Sequence, residues 1–401
     1  MSLSASAPWL NFYGGMPKTI QYPKKTIFEM VQDAAAKHPN NVAYEFQGKK
    51  TTYREFIPRI ELTAKALLAA GIRKGDRVTI CMPNTPQGVD TFYACNRIGA
   101  VACMIHPLSA PGEIEFYLNF SHSKLILTCD MFYYKVAETL PNLKEPCRII
   151  IARIQDELPP VLKVGYELTK ARKIKKLPQD NSYTLWSKFL ADGRKYKGRL
   201  PLDMGRYDDG CAILFSGGTT GTSKGILLSN LNFNALGLQT IAASGYYPDI
   251  SGMKMLSVMP LFHGFGLGIG IHTALIGGAT CILVPQFNVK IYADLLIKKK
   301  PNLIPGVPTL FEALLRAEKL ENADLSFLRG VFSGGDSLSI ELKKKVDAFL
   351  SAHNSPVQIR EGYGTTECVT ASCLTPFNMY REGSIGIPFP DTYYKIVKPG
   401  T

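Results

Sequence analysis

Apolar and polar positions alternate along this chain in two rhythms. Asn41 to Phe46 is an apolar run of strand length. Tyr53 to Ala70 then sets Tyr53, Phe56, Ile60, Ala64, Leu67 and Leu68 at helical spacing, and Gly71 closes the run. The rhythm repeats as strand Arg77 to Met82, helix Gln87 to Ile98, strand Ala100 to Ile105 and helix Gly112 to Asn119. Further strands are predicted near Met255, Thr280, Asn302, Val331 and Gln358. Alternation of this kind predicts an α/β fold of mostly parallel sheets covered by helices.

Two stretches break the rhythm. Met255 to Val289 carries no Asp, Glu, Lys or Arg, but glycines, prolines and two histidines interrupt it. It therefore reads as strand, pocket loop, buried helix and strand rather than a membrane span. In Leu158 to Lys176, Val161, Val164, Leu168, Ala171 and Ile174 mark one helical face, while Lys163, Lys170, Arg172, Lys173, Lys175 and Lys176 load the remainder with charge. Such a segment suits an anionic membrane surface, or a solvated position on the protein's own surface.

The densest chemistry lies between the apolar runs Cys211 to Phe215 and Ile226 to Leu228. Ser216 to Gly225 reads S-G-G-T-T-G-T-S-K-G, with four glycines, five hydroxyl side chains and one lysine in ten positions. Glycines let backbone N–H groups approach an anion, hydroxyls add donors, and Lys224 adds a mobile positive charge. That set suits a triphosphate. It is not a Walker A loop, because Ser223 rather than Gly precedes Lys224 and Gly225 follows it.

A second motif, E-G-Y-G-T-T-E at Glu361 to Glu367, follows the strand-like run Val357 to Ile359. With the first loop it resembles the AMP-forming acyl- and aryl-CoA synthetases, the adenylate-forming superfamily that includes firefly luciferase and peptide-synthetase adenylation domains. The family loop is T-S-G-T-T-G-x-P-K-G; here Ser216, Gly217 and Ser223 replace Thr, Ser and Pro, which predicts a looser grip on phosphate. The family's Y-G-x-T-E matches Tyr363, Gly364, Thr366 and Glu367. The resemblance continues through M-P-L-F-H-G-F-G (Met259 to Gly266), G-V-P-T-L-F, S-G-G-D-S-L (Ser333 to Leu338) and G-S-I-G-I-P-F-P. It implies two packed, helix-covered, mostly parallel sheets with a smaller β-barrel-like part.

The resemblance also implies roles. Ser216, Gly217, Gly218, Thr219, Thr220, Gly221, Thr222 and Lys224 would hold the outer phosphates of ATP. Thr366 would bind the α-phosphate and Glu367 Mg²⁺, making Thr366, Glu367 and Lys224 the catalytic set. Tyr363 would stack on adenine, edged by Gly334, Gly335, Asp336, Glu361, Gly362, Gly364 and Thr365. His263, Phe265, Gly266 and Val307 would border the acyl pocket, whereas His106 reads as structural. Without the loop, Tyr363 would read as a core aromatic and Glu367 as a surface carboxylate. Amino-acid-activating relatives carry an Asp after the pocket segment; Phe262 to Gly270 has no acid, which favours a fatty or aryl acid.

Charge adds little discrimination. The net charge of +13 attracts ATP, CoA or acidic membranes, and no nucleic-acid module is recognisable. Nine scattered cysteines without a C-x-x-C pair read as free thiols in a reducing compartment. No signal-type segment opens the chain, so a cytoplasmic location is expected, with peripheral membrane contact through 158–176 as the open alternative.

The expected organisation is one large adenylation domain over 1–401, with halves at about 20–200 and 201–340 and a last part from 341. The family's ribose-binding T-G-D motif, hinge and C-terminal domain with its lysine are not in this sequence. The chain is therefore expected to bind its substrates and hardly turn over alone. The function expected of the parent is conversion of a carboxylic acid, foremost a fatty acid, to acyl-AMP and then acyl-CoA. Alternatives are a non-catalytic nucleotide- or acyl-binding form, a ligase loading a carrier protein, and an aryl-acid ligase.

Overall fold

The computed structural model describes residues 7–169, 171–216, 223–377 and 379–398. Among these residues the strands are, in chain order, β1 (Val42–Phe46), β2 (Lys49–Thr52), β3 (Arg77–Cys81), β4 (Val101–Met104), β5 (Ser123–Cys129), β6 (Arg148–Ala152), β7 (Thr184–Leu185) and β8 (Gly210–Ser216). Then follow β9 (Lys224–Ser229), β10 (Lys254–Ser257), β11 (Thr280–Leu283), β12 (Leu303–Gly306), β13 (Gly330–Ser333), β14 (Ile359–Tyr363), β15 (Cys373–Leu374) and β16 (Ile387–Pro388). One sheet runs β7-β6-β5-β3-β4-β8-β9 and is parallel except for the β8–β9 hairpin. The other runs β16-β15-β14-β13-β12-β10-β11-β1-β2, parallel from β14 to β1 and antiparallel at both edges.

Local chemistry explains where elements begin. Thr52 closes β2 and caps the helix Tyr53–Ala69: its backbone N–H donates to Glu55 Oε2 at 2.7 Å while its hydroxyl accepts from Glu55 N. Thr85 and Pro86 start the helix Pro86–Arg97, with proline where its missing N–H costs nothing. That helix lies between the sheets, buried from Pro86 to Asn96.

Four sequence expectations change. The boundary near 200 does not follow the sheets: β1 and β2 pair into the later sheet through β11, while the β8–β9 hairpin joins the earlier one through β4. The strand expected at Val357 to Ile359 instead starts at Ile359, opposite Val331 of β13, so Glu361 to Tyr363 belong to the strand itself. The helix in 158–176 spans only Pro160–Leu168; Ala171 and Ile174 lie beyond its end. Finally, β15 and β16 extend the sheet edge as a two-residue antiparallel pair, with no closed barrel among the described residues.

Asn84, just beyond β3, joins the two sheets. Its amide donates to the carbonyls of Ser257 (2.9 Å) and Met259 (2.8 Å), and its oxygen accepts from Leu261 N at 2.7 Å. A second buried junction holds His272. Its Nε2–H donates to Asn234 Oδ1 and its Nδ1 accepts from the Tyr93 hydroxyl, both at 3.0 Å. Both partners suit the neutral ring, and burial pushes its pKa down to about 3.

A depressed folded pKa means that stability is full above the unfolded value, near 6.5, and is lost as pH falls toward 3. From pH 7 to pH 5 this group alone should cost about 2 kcal/mol. His272→Gln, which keeps one donor and one acceptor, should lose less stability over that interval. Unfolding midpoints in urea at the two pH values measure it; identical losses in both proteins would refute the assignment.

Candidate nucleotide and acyl site

Chain order reverses in the second sheet at β10, with β11 on one side and β12 on the other. Crevices at the carboxyl ends of strands around such a reversal are where open α/β sheets bind ligands. Of the predicted site residues, Phe265, Gly334, Gly335, Gly362, Tyr363 and Gly364 line a cavity there.

In the first sheet, β8 and β9 pair with Ser216 opposite Lys224. Gly217, Gly218, Thr219, Thr220, Gly221 and Thr222 lie outside the described residues. The helix Pro111–Ser121 supports the hairpin: Tyr117 and Phe120 pack on Phe215, with ring centroids 4.3 and 6.0 Å away. A Cβ at Gly225 would lie 2.5 Å from the Phe120 ring, so glycine permits this contact.

The turn Thr366–Cys368 packs on both hairpin strands. Glu367 is exposed to solvent. Its carboxyl is held below the usual range by its own backbone N–H, then by the Thr365 hydroxyl and the charge of Lys224. Lys224 and Glu367, 143 positions apart in the sequence, thus share one electrostatic neighbourhood.

On the second sheet, Gly334, Gly335, Gly362, Tyr363 and Gly364 line a cavity of about 40 Å³ with Phe265. Ser333, which opens the S-G-G-D-S-L motif, also lines it; sequence reasoning missed Thr240, Ile269, Phe332, Thr370, Ala371, Cys373, Leu374 and Phe389 in its wall. Thr370 and Ala371 lie three and four positions past the second motif and were findable by proximity in sequence; Thr240 and Phe389 arrive through long-range packing. Tyr363 is about half exposed, its ring free for a stacking partner.

The remaining predicted residues stand around this cavity. Glu361 is buried, and its Oε1 accepts from Leu338 N at 3.0 Å, fixing the turn after β13. Asp336 is exposed and accepts from Ser337 N. Val307 lies 3.5 Å from the Cβ position of Gly335. His263 faces solvent, with Nδ1 accepting from Phe265 N at 3.2 Å, and crowding by the chain lowers its pKa. At Gly266 a Cβ would overlap the Pro260 carbonyl oxygen at 2.1 Å, so this glycine lets the pocket loop fold on itself. His106 accepts from Leu108 N, and its ring lies 4.3 Å from that of Phe262.

One residue joins these parts. Val369, a β-branched residue, sits at φ 67° and ψ −55°. Such a conformation costs of order 1–3 kcal/mol and persists only where neighbours impose it. Its carbonyl oxygen lies 1.7 Å from where a Cβ of Gly264 would be, and Thr370 O is 1.9 Å from that of Gly364. The turn bearing Thr366 and Glu367 is therefore seated on the pocket loop backbone to backbone.

A two-sheet α/β body in which the β8–β9 hairpin packs against the turn of E-G-Y-G-T-T-E has the features of the adenylate-forming class. The chain belongs to the AMP-binding enzyme family, whose model matches residues 31–401. It is 30% identical over 398 residues to a long-chain-fatty-acid–CoA ligase of Bacillus subtilis, covering 97% of this chain and 69% of that protein. A Haemophilus influenzae protein of the same description is 28% identical over 399 residues, with the same coverage. Among solved structures, a long-chain-fatty-acid–CoA ligase from Archaeoglobus fulgidus superposes with a TM-score of 0.77 at 22% identity, covering 94% of this chain and 71% of that one. An anthranilate–CoA ligase in complex with anthranoyl-AMP has a TM-score of 0.75 at 20% identity, covering 94% and 65%.

Gly264→Ala should unseat the Val369 turn. Amide exchange at Thr366 to Val369 should accelerate at least tenfold and the melting temperature should fall. Gly112→Ala, whose Cβ meets nothing within 4 Å, should leave both unchanged or raise stability slightly. Unaltered exchange in Gly264→Ala would show that the two loops are not coupled.

Proposed function

We propose that this chain binds ATP and a fatty acid for their conversion to acyl-AMP and for transfer of the acyl group to CoA. The observation that carries the reading is the cavity itself. Its glycine-lined side, Gly334, Gly335 and Gly364 with Tyr363, meets an apolar side of Phe265, Ile269, Leu374 and Phe389 that holds no carboxylate. An amino-acid substrate would leave its ammonium unpaired there.

In this reading a substrate carboxylate oxygen attacks the α-phosphorus and pyrophosphate leaves. A thiol then attacks the acyl carbon and AMP leaves. Lys224 offsets charge on the outer phosphates, and the Thr366 hydroxyl donates to the α-phosphate, where charge shifts during attack. Glu367, exposed and readily ionised, fits a Mg²⁺ ion, which would screen phosphate charge when bound. Tyr363 stacks on adenine, and Glu361 holds the turn that edges it.

Calorimetry with acyl-sulfamoyl-adenosine analogues tests this. A dodecanoyl analogue should bind at least tenfold tighter than an aminoacyl one, and Lys224→Ala should weaken ATP more than AMP. The reverse analogue order would refute the fatty-acid reading; equal losses of ATP and AMP would remove Lys224 from the outer phosphates.

The reading includes contact with an anionic lipid surface. The helix Pro160–Leu168 buries none of its residues and is oriented with its apolar stripe outward: Val161 is 83% exposed, and Val164 and Leu168 each 56%. Lys163 and Tyr166 are the half-buried positions. Arg172, Lys173, Lys175 and Lys176 follow, all exposed, and Lys175 also lies over the Tyr134 ring. Apolar side chains with adjacent cations match an anionic interface. The chain should sediment with phosphatidylserine-containing vesicles, less so in high salt, and not with neutral ones. Val164→Asp combined with Leu168→Asp should abolish this without lowering the melting temperature. Equal binding of both proteins would refute the surface.

A further inference from the structure

A larger chamber of about 410 Å³ adjoins the nucleotide and acyl cavity, and Leu374 and Phe389 line both. The N-terminal segment supplies one wall through Phe12 and Tyr13; Tyr247, Phe377 and Met379 supply others. Among the described residues lining it, Arg360 carries the one charged side chain.

Arg360 is 8% exposed, and burial pushes its pKa down to about 10. Its Nε donates to Thr375 O at 2.8 Å, and its guanidinium lies 5.9 Å from the ring centroids of both Phe332 and Phe377. Among the described residues no carboxylate pairs with it. A buried guanidinium without an anion is costly and is ordinarily compensated.

Strand geometry gives its direction. Side chains two apart share a sheet face, so Arg360 and Gly362 lie on one face of β14. Phe332 pairs with Arg360, and Gly334 follows Phe332 on the same face of β13. The glycines form the floor of the nucleotide and acyl cavity, and Arg360 stands about 10 Å along the strand from Tyr363. A linear acid with its reacting end near Gly364 that ran back past Leu374 and Phe389, which line both cavities, would reach the chamber that Arg360 lines.

We propose that Arg360 reads a second carboxylate at the far end of the substrate, so that the preferred acid is a medium-chain α,ω-dicarboxylic acid. This rests on the acyl-adenylating reading above. The Arg fork pairs with that carboxylate, the apolar walls take the methylenes, and an acid ending in methyl leaves the guanidinium unpaired.

The test compares dodecanoyl-sulfamoyl-adenosine with its ω-carboxy counterpart by calorimetry, on the wild-type chain and on Arg360→Met. Wild type should bind the ω-carboxy analogue at least tenfold tighter. Arg360→Met should lose that preference, keep its affinity for the dodecanoyl analogue, and melt no lower than wild type, because an uncompensated buried charge is gone. An absent preference in wild type, or one that survives in Arg360→Met, overturns the proposal while leaving acyl adenylation intact. Failure of both analogues to bind wild type would instead refute the underlying reading.

Discussion

The three hydrogen bonds of Asn84 hold the carboxyl ends of the two sheets in register. The side chain is buried, and its two donors and its acceptor oxygen are all engaged with the backbone of the last residue of β10 and the loop after it. No other side-chain type offers that set in that size: Asp lacks the donors, and Leu lacks both kinds of group. Losing the amide would leave Met259 O and Leu261 N unpaired, at about 1–3 kcal/mol each, whereas Ser257 O also accepts from Val284 N at 3.2 Å. The loop it fixes carries His263, Gly264 and Phe265. Gly264 seats Val369, whose turn holds Thr366 and Glu367 beside Lys224. One amide just beyond β3 thus anchors the loop on which the turn bearing Thr366 and Glu367 is seated.

The layer between the sheets obeys a related constraint. Helix Pro86–Arg97 has no wet face, so its polar side chains must find partners inside. Asp90 accepts from the Tyr44 hydroxyl of β1 at 3.1 Å and from Arg59 Nε at 2.9 Å, and Arg59 also reaches Glu157 at 2.7 Å. Burial raises the Asp90 pKa against the opposing pull of Arg59. Such a cluster adds little net stability, but an apolar substitute would release the geometry it dictates. It fixes how β1, in one sheet, meets helices that cover the other.

Local signals in the sequence carried the elements, and long-range pairing did not show in them. The helix at Tyr53 begins where Thr52 and Glu55 form a reciprocal cap, and the helix at Pro86 begins with a proline. By contrast, nothing near Val42 says that β1 pairs with β11, over two hundred residues away. The two loop motifs were legible because each concentrates particular residue types in a short stretch of sequence. The cavity wall was not: Thr240, Leu374 and Phe389 are ordinary residues brought in by packing. Arg360 was passed over because it precedes the second motif, and its significance lies in its burial and missing partner.

Strain gives the site its mechanical character. Val369 occupies a backbone region that its branched side chain disfavours, and it does so between two glycines, Gly264 and Gly364, that tolerate no side chain. Backbone packed this closely has few alternative arrangements, so neither loop can relax alone. The turn that bears Thr366 and Glu367 and the loop that bears Gly264 are thus packed backbone against backbone. A chain entering between Phe265 and Leu374 would press on the same backbone that positions Thr366 and Glu367. On the proposed reading, coupling of the two substrate sites would need no domain movement, only contact at both ends of this closely packed segment.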